Sequence, residues 1–159
     1  MSKSSYLLAT TMAAACLLNP ALAQNKAAMT KNAADFLVVS QGLSKSLEEL
    51  TKRATTASPN DKEMLKLINN QVALVDATAD GVVALGVLTA EIKDSSDLAK
   101  AKKHLASRCT ALKSIADGSA KYVGSVASSI AAVATAAEAN KARDLMAQMA
   151  AHPLCNAKG

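Results

Sequence analysis

The sequence predicts an all-α fold: an elongated antiparallel four-helix bundle with three long helices and one short C-terminal helix. Ala, Leu, Lys and Glu, which favour helices, dominate the chain after residue 23. Apolar residues recur there at intervals of three and four residues, as on one face of an α-helix. Alternation of β-branched residues with a period of two, the pattern of a strand, is absent over any useful length. We therefore expect one alanine-rich helical domain over residues 24–159.

The first helix is predicted from about residue 30 to residue 57. Its apolar residues fall on a single stripe, and Lys45, Glu48 and Lys52 lie mostly elsewhere. This separation is typical of an amphipathic helix with one face in a core. The stripe consists of Ala33, Phe36, Leu43, Leu47, Leu50 and Ala54.

The second helix is predicted from Pro59 to about Lys93. Ser58 is its expected N-cap, Pro59 suits the first helical position, and Asp61 places a negative charge near the free N–H groups of the first turn. Its apolar residues cover nearly half of the circumference, which indicates contact with two neighbouring helices. One side carries Leu65, Ile68, Val72, Val75, Ala79, Val82, Val83 and Gly86, while Leu67, Leu74, Leu85 and Ile92 lie further round.

The third helix follows a turn at residues 94–97, with Ser95 or Ser96 as the expected N-cap. From Asp97 onward an apolar stripe continues without a change of phase. The stripe consists of Leu98, Ala101, Leu105, Cys109, Leu112, Ala116, Ser119, Val123, Val126, Ile130 and Val133. Because this stripe does not show where the helix ends, the next turn is located from the cysteines.

Cys109 and Cys155 are the only cysteines after residue 23, and we expect them to form a disulfide. A disulfide across an antiparallel hairpin requires both cysteines to lie about equally far from the turn. With an extended tail from Pro153 onward and about 1.5 Å per helical residue, the turn is predicted near residue 134. A redox-active or intermolecular pair of thiols is the alternative.

The residues at this turn also have the pattern of a helix start. Thr135 and Glu138 show the Ser/Thr-x-x-Glu spacing of a capping box. They predict a fourth helix over residues 136–151, ended by Pro153. Because residues 131–134 contain neither glycine nor proline, a kink in one long helix is the alternative. The apolar face of the fourth helix consists of Leu145, Met146 and Met149.

The beginning of the chain has the layout of a secretory signal peptide, over residues 1–23. Lys3 precedes an apolar run, and a small-residue pattern ends at Ala23. The run is shorter than the about 20 apolar residues of a spanning helix. We therefore expect cleavage between Ala23 and Gln24, and a periplasmic or secreted protein with no stable membrane span. A lipoprotein signal with Cys16 as the lipidated residue is the alternative.

Charge and aromatic content exclude several classes of function. The chain has 18 basic and 13 acidic side chains, and removal of Lys3 leaves 17 basic ones. This modest excess, with both signs interspersed, does not indicate nucleic-acid binding. Phe36 and Tyr122 are the only Phe, Tyr or Trp residues after residue 23. Stacking platforms for carbohydrates or single-stranded nucleic acids need more aromatic faces than two.

His104, His152 and the two cysteines are candidate zinc ligands, but the hairpin geometry argues against a metal site. With Cys109 bonded to Cys155, the two imidazoles are expected to lie more than about 10 Å apart along the hairpin. We therefore expect a structural disulfide, two surface histidines and no metal.

Asp76 and Asp80 lie one helical turn apart, the spacing of a carboxylate pair that exchanges protons or holds a metal. They fall at the polar edge of the apolar stripe, so we interpret them as part of a solvent-exposed helix face. No phosphate-binding glycine loop, nucleophile elbow, zinc-protease motif or haem-attachment motif is present in the sequence. The sequence predicts no enzyme, no catalytic residues and no cofactor.

Two uncharged runs, over residues 81–90 and 122–137, resemble those of membrane-inserting hairpins. Both are shorter than the about 18 residues that mark a spanning helix. We interpret them as alanine-rich segments that pack against neighbouring helices.

Together, these observations predict an exported, non-catalytic helical bundle that acts as a protein-interaction module. The first alternative is a carrier of a small apolar ligand between its helices, with Met146 and Met149 lining the pocket. The second is a protein that binds a membrane surface through its positive charge. A cavity within the bundle would favour the carrier, and a packed core with an exposed apolar patch would favour the module.

Overall fold

The predicted all-α four-helix bundle is confirmed by the computed structural model, which describes residues 20–156. The helices are α1 (Pro20–Thr56), α2 (Pro59–Glu91), α3 (Ser95–Ala127), α4 (Val133–Ala151) and the single turn α5 (Pro153–Asn156). Consecutive helices are antiparallel neighbours, and α4 packs against α1 to close the ring. Residues 1–19 lie outside the described residues. Most of the predicted signal peptide, Cys16 included, lies there, and cleavage between Ala23 and Gln24 stays a prediction.

Helix α1 begins earlier than the sequence predicted, at Pro20 rather than near residue 30. Proline suits a first helical position, and the residues that follow are mostly good helix formers without glycine. The predicted apolar stripe of α1 is confirmed at its centre, where Phe36, Leu43 and Leu50 are fully buried. The helix is therefore longer than its amphipathic part.

The starts of α2 and α3 differ in how well the sequence predicted them. Ser58 is the N-cap of α2, as predicted, and its hydroxyl oxygen accepts a hydrogen bond from the Asp61 N–H at 3.2 Å. The N-cap of α3 is Asp94, so the expectation of Ser95 or Ser96 was wrong. The Asp94 carboxylate accepts hydrogen bonds from the N–H groups of Ser96 and Asp97 at 2.8 and 3.0 Å. A carboxylate stabilises the partial positive charge of a helix start better than a hydroxyl.

The connection between α3 and α4 is a true turn over residues 128–132, about four residues before the predicted position. The helical stretch from Cys109 to the end of α3 is as long as the whole of α4, which has 19 residues. The predicted position assumed an extended tail, whereas Pro153–Asn156 is a helical turn that adds little length along the axis. The two helical arms on either side of the turn are equally long, as the argument required, but the tail is helical rather than extended.

The predicted capping box at this turn is wrong as well. The N-cap of α4 is Ala132, which makes no side-chain hydrogen bond, and Thr135 is already inside the first turn. Glu138 instead accepts a hydrogen bond from the Ser46 hydroxyl of α1 at 2.8 Å. The turn itself is held from α2, because Asp61 Oδ1 accepts a hydrogen bond from the Ala131 N–H at 3.2 Å.

The core runs along the bundle axis between the four helices. Met146 and Met149, which the sequence placed on the apolar face of α4, are fully buried. The tail closes the core on one side, where Leu154 packs against α2. A Cβ atom at Gly86 would lie 3.2 Å from Leu154 Cδ2 and 3.4 Å from Ala33 Cβ, so the missing side chain at Gly86 lets α1, α2 and the tail meet closely.

Candidate functional site

The outward faces of three helices carry charges, as expected of solvent-exposed surfaces. These exposed charged residues are Lys26, Lys31, Asp35, Lys45, Glu48 and Lys52 on α1, Asp97, Lys100, Lys103, Arg108, Lys113, Asp117 and Lys121 on α3, and Lys141 and Asp144 on α4. Most of them follow one another at intervals of three to five residues, at positions that the core-facing residues leave free. Such faces favour contact with water over contact with an apolar partner.

Helix α2 differs, because its outward face between residues 67 and 88 is mostly apolar. Leu67, Leu74 and Leu88 are 45%, 49% and 60% exposed. The sequence had indicated that two neighbouring helices contact this broad stripe, and α1 and α3 do flank α2, yet these leucines remain open to solvent. Between residues 67 and 88, Asp80 is the one exposed charged residue of α2.

A hydrogen bond between α2 and α3 shows which side of α2 adjoins α3. The Ser119 hydroxyl of α3 donates to Gln71 Oε1 of α2 at 2.8 Å. Leu67 and Leu74 lie four residues before and three residues after Gln71, so they share its side of α2. Ile115 and Tyr122 have the same relation to Ser119 on α3. We call the surface formed by Leu67, Leu74, Ile115 and Tyr122, and its continuation along α2 to Leu88, the α2–α3 face.

Small residues lie on the exposed parts of both helices of this face. A Cβ atom at Gly81 or at Gly118 would meet no other atom within 4 Å, so nothing in the fold itself accounts for either glycine. On α3, Ser107, Ala111 and Ser114 are also exposed and small. Small side chains let a second helix approach closely, so the surface is suited to contact with another helix.

Among the described helices, α2 is the one whose length and composition would allow it to cross a membrane. An 18-residue window within it has a mean hydropathy of 1.7, and 33% of that window is buried inside the bundle. The uncharged run over residues 81–90 is too short alone, but the residues before it extend the apolar segment. A core helix of a soluble bundle passes the same test.

A shallow cleft of about 430 Å³ lies between the C-terminal part of α1 and the first turns of α2. Five of the six residues that line it are polar or charged, with both signs of charge, whereas a carrier of apolar ligands is expected to have a pocket lined mostly by apolar side chains. The residues that line it are Ala54, Lys62, Glu63, Lys66, Asn69 and Asn70. Met146 and Met149, the expected pocket residues, do not contribute to it.

The two cysteines that the sequence paired lie together. The Cα atoms of Cys109 and Cys155 are 5.0 Å apart, and their sulfur atoms are paired as in a disulfide. Cys109 is buried in α3, and the bond joins it to the turn that holds Leu154 in the core. The pair fastens the C-terminal turn to α3.

The histidines do not form a metal site with these cysteines. Within residues 20–156, no group of three or more His, Cys, Asp or Glu side chains is arranged to hold a metal ion. His104 is exposed on α3, as predicted. His152 is half-buried, so its prediction as a surface residue was wrong. Its ring meets Phe36 edge-on, with 5.1 Å between the ring centroids.

His152 is held in its neutral form by its surroundings. Its Nδ1 accepts a hydrogen bond from the Leu154 N–H at 3.2 Å, which requires that nitrogen to be unprotonated. Burial lowers the pKa of His152, Asp35 raises it, and Lys31 lowers it. The net effect is a pKa below the ordinary value of 6.5.

This shift predicts that the protein loses stability on mild acidification. Well above pH 6.5 the histidine is neutral in both the folded and the unfolded chain. As the pH falls below that value, the unfolded chain binds the proton first, so the free energy of unfolding decreases until the folded-state pKa is reached. We expect a lower melting temperature at about pH 5.5 than at about pH 7.5.

The contribution of His152 is isolated by comparing this pH difference between variants. In His152→Gln the difference should shrink, whereas the exposed His104→Gln should keep the wild-type difference. An equal pH dependence in His152→Gln and wild type would show that His152 does not cause it.

Asp76 and Asp80 differ in their surroundings. Asp76 Oδ1 accepts a hydrogen bond from the Ser44 hydroxyl of α1 at 2.7 Å, whereas Asp80 is exposed. The interpretation as a solvent-exposed face therefore holds for Asp80 and is wrong for Asp76, which links α2 to α1. Both lie on the α1 side of α2, away from the α2–α3 face.

The α2–α3 face is thus the candidate functional site, and sequence reasoning did not single it out. One signal was available: Leu67, Leu74, Gly81 and Leu88 recur every seven residues. The exposed position of this stripe depends on how α3 packs, which the sequence pattern does not show. No family model matches the chain, and no match is found among curated proteins or among solved structures.

Proposed function

We propose that the protein is an exported, non-catalytic interaction module of the periplasm or extracellular space, which binds a partner protein through the α2–α3 face. The supporting observation is that the outward side of α2 between residues 67 and 88 exposes leucines with Asp80 as its one exposed charged residue, while the outward faces of α1, α3 and α4 carry many charges. Contiguous exposed apolar surface is rare on monomeric proteins and marks binding sites. The face extends along α2 from Leu67 to Leu88, so it suits an apolar helix of the partner.

Export is proposed on two independent features of the chain. The first 23 residues have the layout of a signal peptide. The pairing of Cys109 with Cys155 suits an oxidising compartment, because disulfides are rare in the cytosol.

A carrier of apolar ligands has less support. The methionines expected to line its pocket are fully buried in the packed core, and the cleft between α1 and α2 is polar. An apolar ligand needs a mostly apolar cavity.

The proposal is tested with a charge at the centre of the face, in Gly81→Glu. A side chain at Gly81 meets no other atom of the protein, and Glu favours a helix more than Gly does. Thermal stability should therefore be unchanged or slightly higher. In an extract of the compartment to which its host exports it, the wild-type protein should migrate as a complex, and Gly81→Glu should migrate as the free chain.

The matched control is Ala137→Glu, which adds the same charge to the exposed face of α4. This variant should keep the complex. Retention of the complex by Gly81→Glu, or its loss in both variants, would contradict binding through the α2–α3 face. A wild-type protein that sediments with membranes instead would favour the membrane-surface alternative.

A further inference from the structure

We infer that the partner of the α2–α3 face is a second copy of this chain, with the two α2 helices packed antiparallel. This inference rests on the proposed function, because it names the occupant of the same face. It is carried by the self-complementary shape of the face, by the charges at its ends and by its area.

The shape argument comes from the seven-residue spacing along α2. When α2 is reversed about the point midway between Leu74 and Gly81, Leu74 faces Gly81 of the second copy, and Leu67 faces Leu88. The leucine thus fills the space that is open above Gly81. In the parallel arrangement Leu74 would meet Leu74, and the space above Gly81 would stay empty. A two-fold axis repeats every contact, so the interface is self-complementary.

The same reversal also brings opposite charges together. Lys66 and Glu91 are exposed and lie on the same side of α2, since about seven turns separate them. The reversal places Lys66 beside residue 89 of the second copy, about 3 Å along the axis from Glu91. A parallel pair would instead place Lys66 against Lys66.

Glu91 is available for this contact although it already has a partner within the chain. Its carboxylate lies 3.7 Å from Lys26 Nζ, and the side chains are 47% and 70% exposed for Lys26 and Glu91. Exposed ion pairs contribute little, so Glu91 can exchange this partner at small cost.

The area of the face indicates a reversible dimer. From Leu67 to Leu88 it is roughly 30 Å long and, with two helices about 10 Å apart, roughly 20 Å wide. Each copy would bury about 600 Å², below the about 800 Å² per partner of a standard stable interface. We therefore expect dissociation in the micromolar range, where a concentration series detects both species.

The experiment is sedimentation of the exported protein over about 1 μM to 1 mM. The wild-type protein should pass from monomer to dimer. Lys66→Glu should weaken the dimer by about tenfold or more, because each dimer then holds two repelling carboxylate pairs. The double variant Lys66→Glu/Glu91→Lys should restore it. Lys45→Glu, which makes the same charge change on the outward face of α1, should leave the dimer unchanged.

The inference is overturned if the wild-type protein stays monomeric throughout, if Lys66→Glu weakens the dimer no more than Lys45→Glu does, or if the double variant does not restore it. Such results would not contradict the proposed function if the wild-type protein forms a complex with a different protein and Gly81→Glu does not. If the wild-type protein forms neither a dimer nor a complex that Gly81→Glu disrupts, the α2–α3 face is not a binding surface.

Discussion

Replacing Cys155 by Ser is expected to lower the melting temperature by roughly 10 to 15 °C without abolishing helicity. The bond closes a loop with a sequence separation of 46 residues. Opening a loop of that size costs about 4 kcal/mol of unfolding free energy, because the unfolded chain gains conformational freedom. The bond also holds Leu154 against Gly86, so its loss loosens one side of the core.

Reductant provides the control for this prediction. The melting temperature of the wild-type protein should fall in reductant to that of Cys155→Ser, and the variant should not respond. Helical circular dichroism at low temperature should be the same in all samples. An unchanged melting temperature of the wild-type protein in reductant would show that the two sulfurs are not joined.

Replacing Phe36 by Ala is expected to cost about 3 to 5 kcal/mol of unfolding free energy. Phe36 is fully buried between the helices, and its ring packs edge-on against His152. The variant leaves a cavity and removes this aromatic contact at once. Chemical denaturation should show a lower midpoint with an unchanged slope, since the surface exposed on unfolding stays nearly the same.

The adjacent residue gives a matched control. Leu37 is 38% exposed, so Leu37→Ala should cost less than about 1.5 kcal/mol. Equal losses from the two substitutions would mean that α1 presents a different face to the core.

The architecture of the bundle was predictable because it depends on patterns that are local in sequence. The three- and four-residue spacing of apolar residues placed Phe36, Leu65 and Leu112 in the core. Ser58 and Pro59 marked the start of α2 because a cap acts within three residues. The pairing of Cys109 with Cys155 followed from their number and from the expected compartment.

The turn before α4 was misplaced because contacts from distant parts of the chain define it. Asp61 holds the Ala131 N–H from 70 residues away, and Glu138 is engaged by Ser46 of α1 rather than by the start of its own helix. Because residues 131–134 contain neither glycine nor proline, the local sequence did not show where α3 ends. Such tertiary hydrogen bonds are not encoded in a short motif.

The candidate site was hidden for a related reason. The pattern of α2 showed a broad apolar stripe, but it did not show that α1 and α3 leave Leu67, Leu74 and Leu88 exposed. Gly81 became informative only when the space around it proved open. The environment of His152 likewise required the fold, because Phe36 comes from the other end of the chain.

The central claim is that a protein covers the α2–α3 face in the compartment to which the chain is exported. Photo-crosslinking tests it most directly, with a photoreactive phenylalanine analogue at Leu74 in one variant and at Ala137 in another. Both positions are exposed, and only Leu74 lies on the face. We expect a protein adduct from position 74 and none from position 137, with a product of twice the chain mass if the partner is a second copy. Absence of a protein adduct at position 74, or the same adduct at both positions, would contradict the claim.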